Sequence, residues 1–234
     1  MPEFYRGYIP SQADLSPKHD SGGINLDELF KSQGNPHKEQ YAERLLWATP
    51  DKKYAACVAI LRSLVKAALD DNYLAAAKNS NDKLPLIATY QIGDNDKYYD
   101  GEGESLAEPG EIDSLLQVVV QKVDPEDIHI EQIARDDYDR LLRVLDVTGK
   151  DDSVFRAILP LRDKYKKNYF DPNGPVNANA RQMTVKELLK GAADFYQNLG
   201  ASRFEVEDRL AEGIFAGSSF FRNLALSMHF SQIS

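Results

Sequence analysis

The segment from Thr49 to Ala68 restricts what this chain can fold into more than any other stretch. Thr49-Pro50-Asp51 supplies a capping hydroxyl, a proline at the first helical position and an early acid, and together these start a helix. Behind them Tyr54, Val58, Leu61, Leu64, Val65 and Ala68 recur at the helical repeat, while Arg62, Lys66 and Asp70 step along another face. The spacing predicts one long helix reaching Asn79, with an apolar stripe that other elements must cover.

Further helices are expected around it. Asn25 to Lys31 and Pro36 to Ala48 read as short ones, the second with Tyr41, Leu45 and Leu46 on one side. Asp124-Pro125-Glu126 is a start signal, followed by Ile130, Ile133, Leu141, Leu142 and Leu145 at helical spacing up to a Thr148-Gly149 stop. Asp152 or Ser153 caps another run, with Phe155, Ile158 and Leu159 inward until Pro160 breaks it. In the C-terminal third, Thr184 with Glu187 and Ser202 with Glu205 have capping-box spacing, and Gly200 closes the helix between them. Leu188, Leu189, Ala192, Phe195 and Leu199 make one stripe; Val206, Leu210, Ile214 and Phe215 make the next; Phe220 to Phe230 reads as a last apolar helix.

Strand signals are few. Leu84 to Ile92 is short, β-compatible and bounded by turn formers, with Pro85 restricting it to an edge or a strand start. Val118, Val119 and Val120 fit either a helix with Ile112, Leu116 and Val123 or a strand pairing with Leu84 to Ile92, and the helix is preferred. The expected fold is therefore mainly α, a multi-helix bundle in one body or two lobes, with at most a small β element near residues 84–92. Its expected divisions are an extended N-terminal arm (1–23), an N-terminal helical lobe (24–93), an acidic loop (94–110) and a C-terminal helical lobe (111–234).

Of 234 residues 42% are apolar, enough for a core. Nothing in the sequence approaches a membrane span, and Met1-Pro2-Glu3-Phe4-Tyr5-Arg6 has neither a basic nor an apolar leader region. The single cysteine, Cys57, stands in an apolar run and reads as a buried side chain, which with the missing leader gives a cytoplasmic expectation. Net charge is −9, and between Asp94 and Asp113 eight acids face Lys97 alone. Such a field repels nucleic acid and anionic membrane.

Catalytic motifs fail when their positions are counted. Glu126 and His129 have the Glu-x-x-His spacing of a di-metal helix, but His19, His37 and His229 lack the second acid three residues upstream. A calcium loop begun at Asp96 meets Tyr98 and Ala107 where ligands belong. Asp136-Asp137-Tyr138-Asp139 lacks the Asp-Asp-x-x-Asp spacing and reads as a helix face. Thr148-Gly149-Lys150 has no upstream phosphate-loop glycine, and Gly217-Ser218-Ser219 is no nucleophile elbow. No catalytic residue, metal ligand or cofactor is assigned.

Three functions remain open. The expected one is a non-enzymatic structural or adaptor protein that associates with protein, or with itself, through the aromatic arm (Phe4, Tyr5, Tyr8) and the apolar C-terminus (Phe220, Phe221, Met228, Phe230). A nucleic-acid-binding alternative uses the basic and aromatic segment 156–170, with Arg162, Lys164, Lys166 and Lys167 on phosphate and Tyr169 stacked on bases. An enzymatic alternative places carboxylate or metal chemistry in the acidic region 94–139.

Overall fold

In the structure, a computed structural model that describes residues 3–10, 18–24, 26, 29, 45–93, 98–100, 117–148, 182–198, 200–217 and 219–232, the long helix expected after Thr49 is two helices. Asp51 caps α1 (Lys52–Leu69), its carboxylate accepting from the N–H groups of Lys53 and Tyr54. Asp70 ends that helix in extended conformation and caps α2 (Asp71–Asn79) through the N–H groups of Asn72 and Tyr73. An aspartate that can accept from the next turn's free N–H groups divides what apolar periodicity alone reads as continuous. Thr49, expected as the cap, instead exchanges main-chain hydrogen bonds with Tyr5, at 2.7 and 2.9 Å.

The expected α bundle is overturned by two antiparallel sheets, which make this a mixed α/β fold. One has the order β1-β3-β6-β7, from β1 (Glu3–Tyr8), β3 (Leu86–Gln91), β6 (Ile128–Ile133) and β7 (Phe230–Gln232). The other has the order β2-β5-β4, from β2 (Leu46–Ala48), β5 (Val118–Val120) and β4 (Tyr98–Asp100). Further helices are α3 (Arg135–Arg143), α4 (Val185–Asn198), α5 (Arg203–Gly217) and α6 (Ser219–Leu226).

Each error has a local cause. The start signal at Asp124 opens only the 3-10 turn Pro125–Asp127, because Ile128-His129-Ile130 then alternates like a strand and pairs with β3. Glu126 and His129 therefore never share a helix. The valines of β5 follow β-branched preference, yet their neighbours are Leu46–Ala48 and Tyr98–Asp100 rather than Leu84 to Ile92. Residues 46–48, placed in a helix by their spacing, are strand for the same reason of partnership. The last helix stops at Leu226, and Phe230 begins β7. Pro85 precedes β3 as a strand start, and that strand is central rather than the bundle's small appendage.

Register sorts the side chains into layers. Phe4 lies across from Tyr90, Arg6 from Ala88 and Tyr8 from Leu86. Phe4, Ala88 and Tyr90 meet Leu46, Ala48, Tyr98, Val118 and Val120 in a core between the sheets. On the opposite face of β2-β5-β4, Val119 and Tyr99 pack with Leu26, Leu29 and Leu45. The other face of the four-stranded sheet receives α1 so closely that a Cβ on Gly7 would stand 2.0 Å from the Ala55 carbonyl oxygen. Beyond α1, one apolar cluster runs from Cys57 to Met228 and takes in Leu64, Leu141, Leu189, Leu210 and Phe221.

Polar groups fix how the helices meet. Ser63 Oγ lies 2.6 Å from the Tyr138 hydroxyl and 3.1 Å from that of Tyr73, all buried, and Tyr73 donates on to the Lys83 carbonyl at 3.2 Å. Arg135 reaches the end of α2, donating from Nη1 to Ala77 O at 2.7 Å, from Nη2 to Ser80 O and from Nε to Asn81 Oδ1 at 3.1 Å. Ala77 O is among the last carbonyls of α2, which a helix end leaves without intrahelical partners, and Ser80 O is that of its capping residue. The capping box of α4 forms, Thr184 N–H donating to Glu187 at 2.7 Å and Glu187 N–H to Thr184 Oγ1 at 3.2 Å. At its other end Gly200, with φ 87°, donates to Gln197 O while Ala201 donates to Tyr196 O, the paired closure of a Schellman turn. Among the described residues no helix is long and apolar enough to cross a membrane.

Candidate interaction surface

The C-terminal α6, turn and β7 make a surface from three local decisions. Phe221 and Ala225 point α6 into the helical core and Met228 follows, all buried, while Phe220, Leu224 and Phe230 are half-buried against it. This leaves Leu226 on the outer side, 46% exposed, the large apolar side chain that stands most open among the described residues. The helix then closes, Ser227 N–H donating to the carbonyls of Asn223 and Leu224, and Ser227 Oγ donating to Leu224 O at 2.7 Å.

A charged clamp sets the turn. Asp137 Oδ2 accepts from the His229 N–H at 2.9 Å and lies 3.1 Å from its ring Nδ1, while Asp137 Oδ1 pairs with Arg140 at 3.3 Å. Burial pushes the Asp137 carboxyl up, but the His229 hydrogen bonds and the Arg140 charge outweigh it and hold the group below its ordinary value. Arg140 also donates to Ser227 Oγ at 3.3 Å.

β7 then pairs with β6, Phe230 across from Ile133 and Gln232 across from Glu131. Because Ala134 N–H bonds the His229 carbonyl, alternation along an antiparallel ladder turns Ser231 toward β6 and the main-chain groups of Phe230 and Gln232 outward. β7 is last in its sheet, so this edge meets no further strand among the described residues. The opposite edge differs: β1 is tied to the second sheet through Tyr5 and Thr49.

The aromatic residues expected to bind a partner fall into two groups. Phe4 is buried between the sheets, its ring 5.0 Å from that of Tyr98, and Phe221 and Met228 are buried in the helical core. Tyr5 is half-buried, donating to Glu3 at 2.8 Å beneath the Lys52 ammonium, and burial is the first cause of its pKa being pushed up to about 12. Tyr8, Phe220 and Phe230 are half-buried as well. The structure brings Phe220, Phe221, Met228 and Phe230 together, and sets Phe4, Tyr5 and Tyr8 along one strand. Leu226 and the outward main chain of β7 were not singled out in the sequence; an edge is a property of topology and leaves no mark on composition.

The basic segment, with Arg162, Lys164, Lys166, Lys167 and Tyr169, lies outside the described residues, as does most of the acidic stretch 94–113. Among the described residues no group of three or more His, Cys, Asp or Glu side chains is arranged to hold a metal. Cys57 is buried, and that burial pushes its thiol up to about 11, away from thiolate reactivity. Asp137 and Asp139 are engaged by Arg140, His229 and Arg135, so the acidic face of α3 works as a clamp. No family model, no curated protein and no solved structure matches this chain.

Proposed function

We propose that this protein is an assembly or adaptor component that acts by protein association, and that the contact is made by the free edge of β7 together with the exposed end of α6. The observation that carries the reading is the outward main chain of Phe230 and Gln232, with the exposed Leu226 at the end of the helix that precedes the strand. An unpaired edge is a template for another strand, and an apolar side chain beside it adds burial to the hydrogen bonds. The favoured occupant is a second copy of the chain: two antiparallel β7 strands related by a two-fold axis present the same donors and acceptors to each other.

Two substitutions test this without disturbing the β6 ladder. Gln232→Pro removes an outward N–H that β6 does not use, and Leu226→Asp places a charge where the contact would be dry. Light scattering after size exclusion should give a concentration-dependent mass above that of one chain for the parent and the single-chain mass for the double variant. A parent mass equal to one chain at every concentration, or a double variant that associates like the parent, rules the reading out.

A further inference from the structure

Along β7, Ser231 and Gln232 are exposed and Phe230 is half-buried. In the register with β6, Ser231 lies across from Gln132, between the pairs Phe230 with Ile133 and Gln232 with Glu131. The bond from Ala134 N–H to the His229 carbonyl, at 2.9 Å, sets the phase of that ladder. Ser231 therefore bonds toward β6, and Phe230 and Gln232 alone in the strand aim N–H and carbonyl groups away from it.

That phase restricts how a second β7 lies antiparallel against the first, because outward groups bond only to outward groups. A two-fold axis at Ser231 sets Phe230 of each copy across from Gln232 of the other, and every outward N–H and carbonyl of both residues finds a partner. An axis at Phe230 instead runs Gln232 onto Met228, whose N–H is already given to Ala225 O at 3.2 Å and whose side chain is buried. An axis at Gln232 carries Phe230 beyond the end of β7. Each of these leaves half of the outward groups unused.

Resting on the self-association proposed above, we infer that two copies join with Ser231 on the two-fold axis, their four-stranded sheets running into one. Ser231 then faces its own counterpart in a pair of the kind without hydrogen bonds, where Cα atoms approach to about 4.5 Å. It is thereby the residue that sets the partner: a small uncharged side chain fits opposite itself, and a like-charged pair at that spacing repels.

Ser231→Cys in the full chain, held in oxidised glutathione above the association midpoint found by light scattering, should give a disulfide-linked dimer that reductant reverses. Two Gln232→Cys side chains are displaced along the ladder, stand beyond the Cα separation of about 7 Å that a disulfide spans, and should remain unlinked. The parent, whose Cys57 is buried, supplies the background. Ser231→Glu should weaken association by about tenfold with its unfolding midpoint unchanged, since its bonds to β6 are main-chain. Linkage of Gln232→Cys as readily as Ser231→Cys, or of neither while the parent associates, overturns the axis; so does unweakened association of Ser231→Glu. The edge contact itself survives those results as long as the Gln232→Pro, Leu226→Asp variant is a single chain. A parent of one chain at every concentration removes the edge contact and the axis with it.

Discussion

The Asp137 carboxylate holds the main-chain N–H of His229 at 2.9 Å, and so fixes the turn from which β7 departs. Asp137→Ala should cost about 1–2 kcal/mol, since the half-buried carboxylate makes charge-assisted bonds on two sides. Its folded-state pKa is lowered, so this contribution is present above the ordinary carboxylate value near about 4 and is lost as pH falls through the lower folded value. Urea unfolding of parent and variant should differ most near about pH 7 and converge toward about pH 3. A difference that grows on acidification would contradict the clamp.

Gly7→Ala should destabilise by about 3 kcal/mol or more, because the new Cβ meets Ala55 backbone, which cannot turn aside, as well as Ala59 Cβ at 2.9 Å. Either β1 or α1 has to move. A midpoint of chemical unfolding unchanged from the parent would mean that the two elements do not approach as described.

Arg135→Lys should behave almost like Arg135→Ala, each losing about 1–3 kcal/mol. One ammonium cannot span Ala77 O, Ser80 O and Asn81 Oδ1, which the guanidinium serves from three nitrogens. Amide exchange should quicken at the end of α2 in both variants. Full rescue by lysine would show that charge, rather than the fork, is what matters.

Tyr138→Phe should cost about 1–2 kcal/mol although it removes only one oxygen, since Ser63 Oγ then keeps Tyr73 alone, at 3.1 Å. Combined with Ser63→Ala, the two losses should be less than additive, because both break the same 2.6 Å contact. Additive losses in a double-mutant cycle would dissolve the cluster into unrelated hydroxyls.

Some of this architecture is legible in the sequence and some is not, for physical reasons. The Thr184 and Glu187 box, the Gly200 closure and the stripe of Leu188, Leu189 and Ala192 are local patterns whose partners lie within a turn or two. β1 and β7 are different. Nothing near Glu3 to Tyr8 or Phe230 to Gln232 specifies a strand until β3 and β6 stand beside them, residues far along the chain. Short strands made by distant pairing leave no such local mark, so residues 3–8 read only as an extended arm, and Phe230 reads as a helix end where the structure has a strand. Ile128 to Ile133 carried both periods at once, Ile128 and Ile130 in alternation against Ile130 and Ile133 at helical spacing, and pairing with β3 decided between them. The apolar density near the C-terminus was visible, but which residue faces out depends on what α1 and α5 already cover, and Leu226 emerges only from packing.

The central claim, that β7 offers its outward main chain to a second copy, is tested most directly by amide hydrogen exchange at Phe230 and Gln232 over a range of protein concentrations. Association through this edge should slow exchange at both amides as concentration rises, with Ser231, already bonded to β6, unchanged. Exchange at Phe230 and Gln232 that stays fast and independent of concentration, while the mass by light scattering exceeds one chain, would place the contact elsewhere and contradict the account.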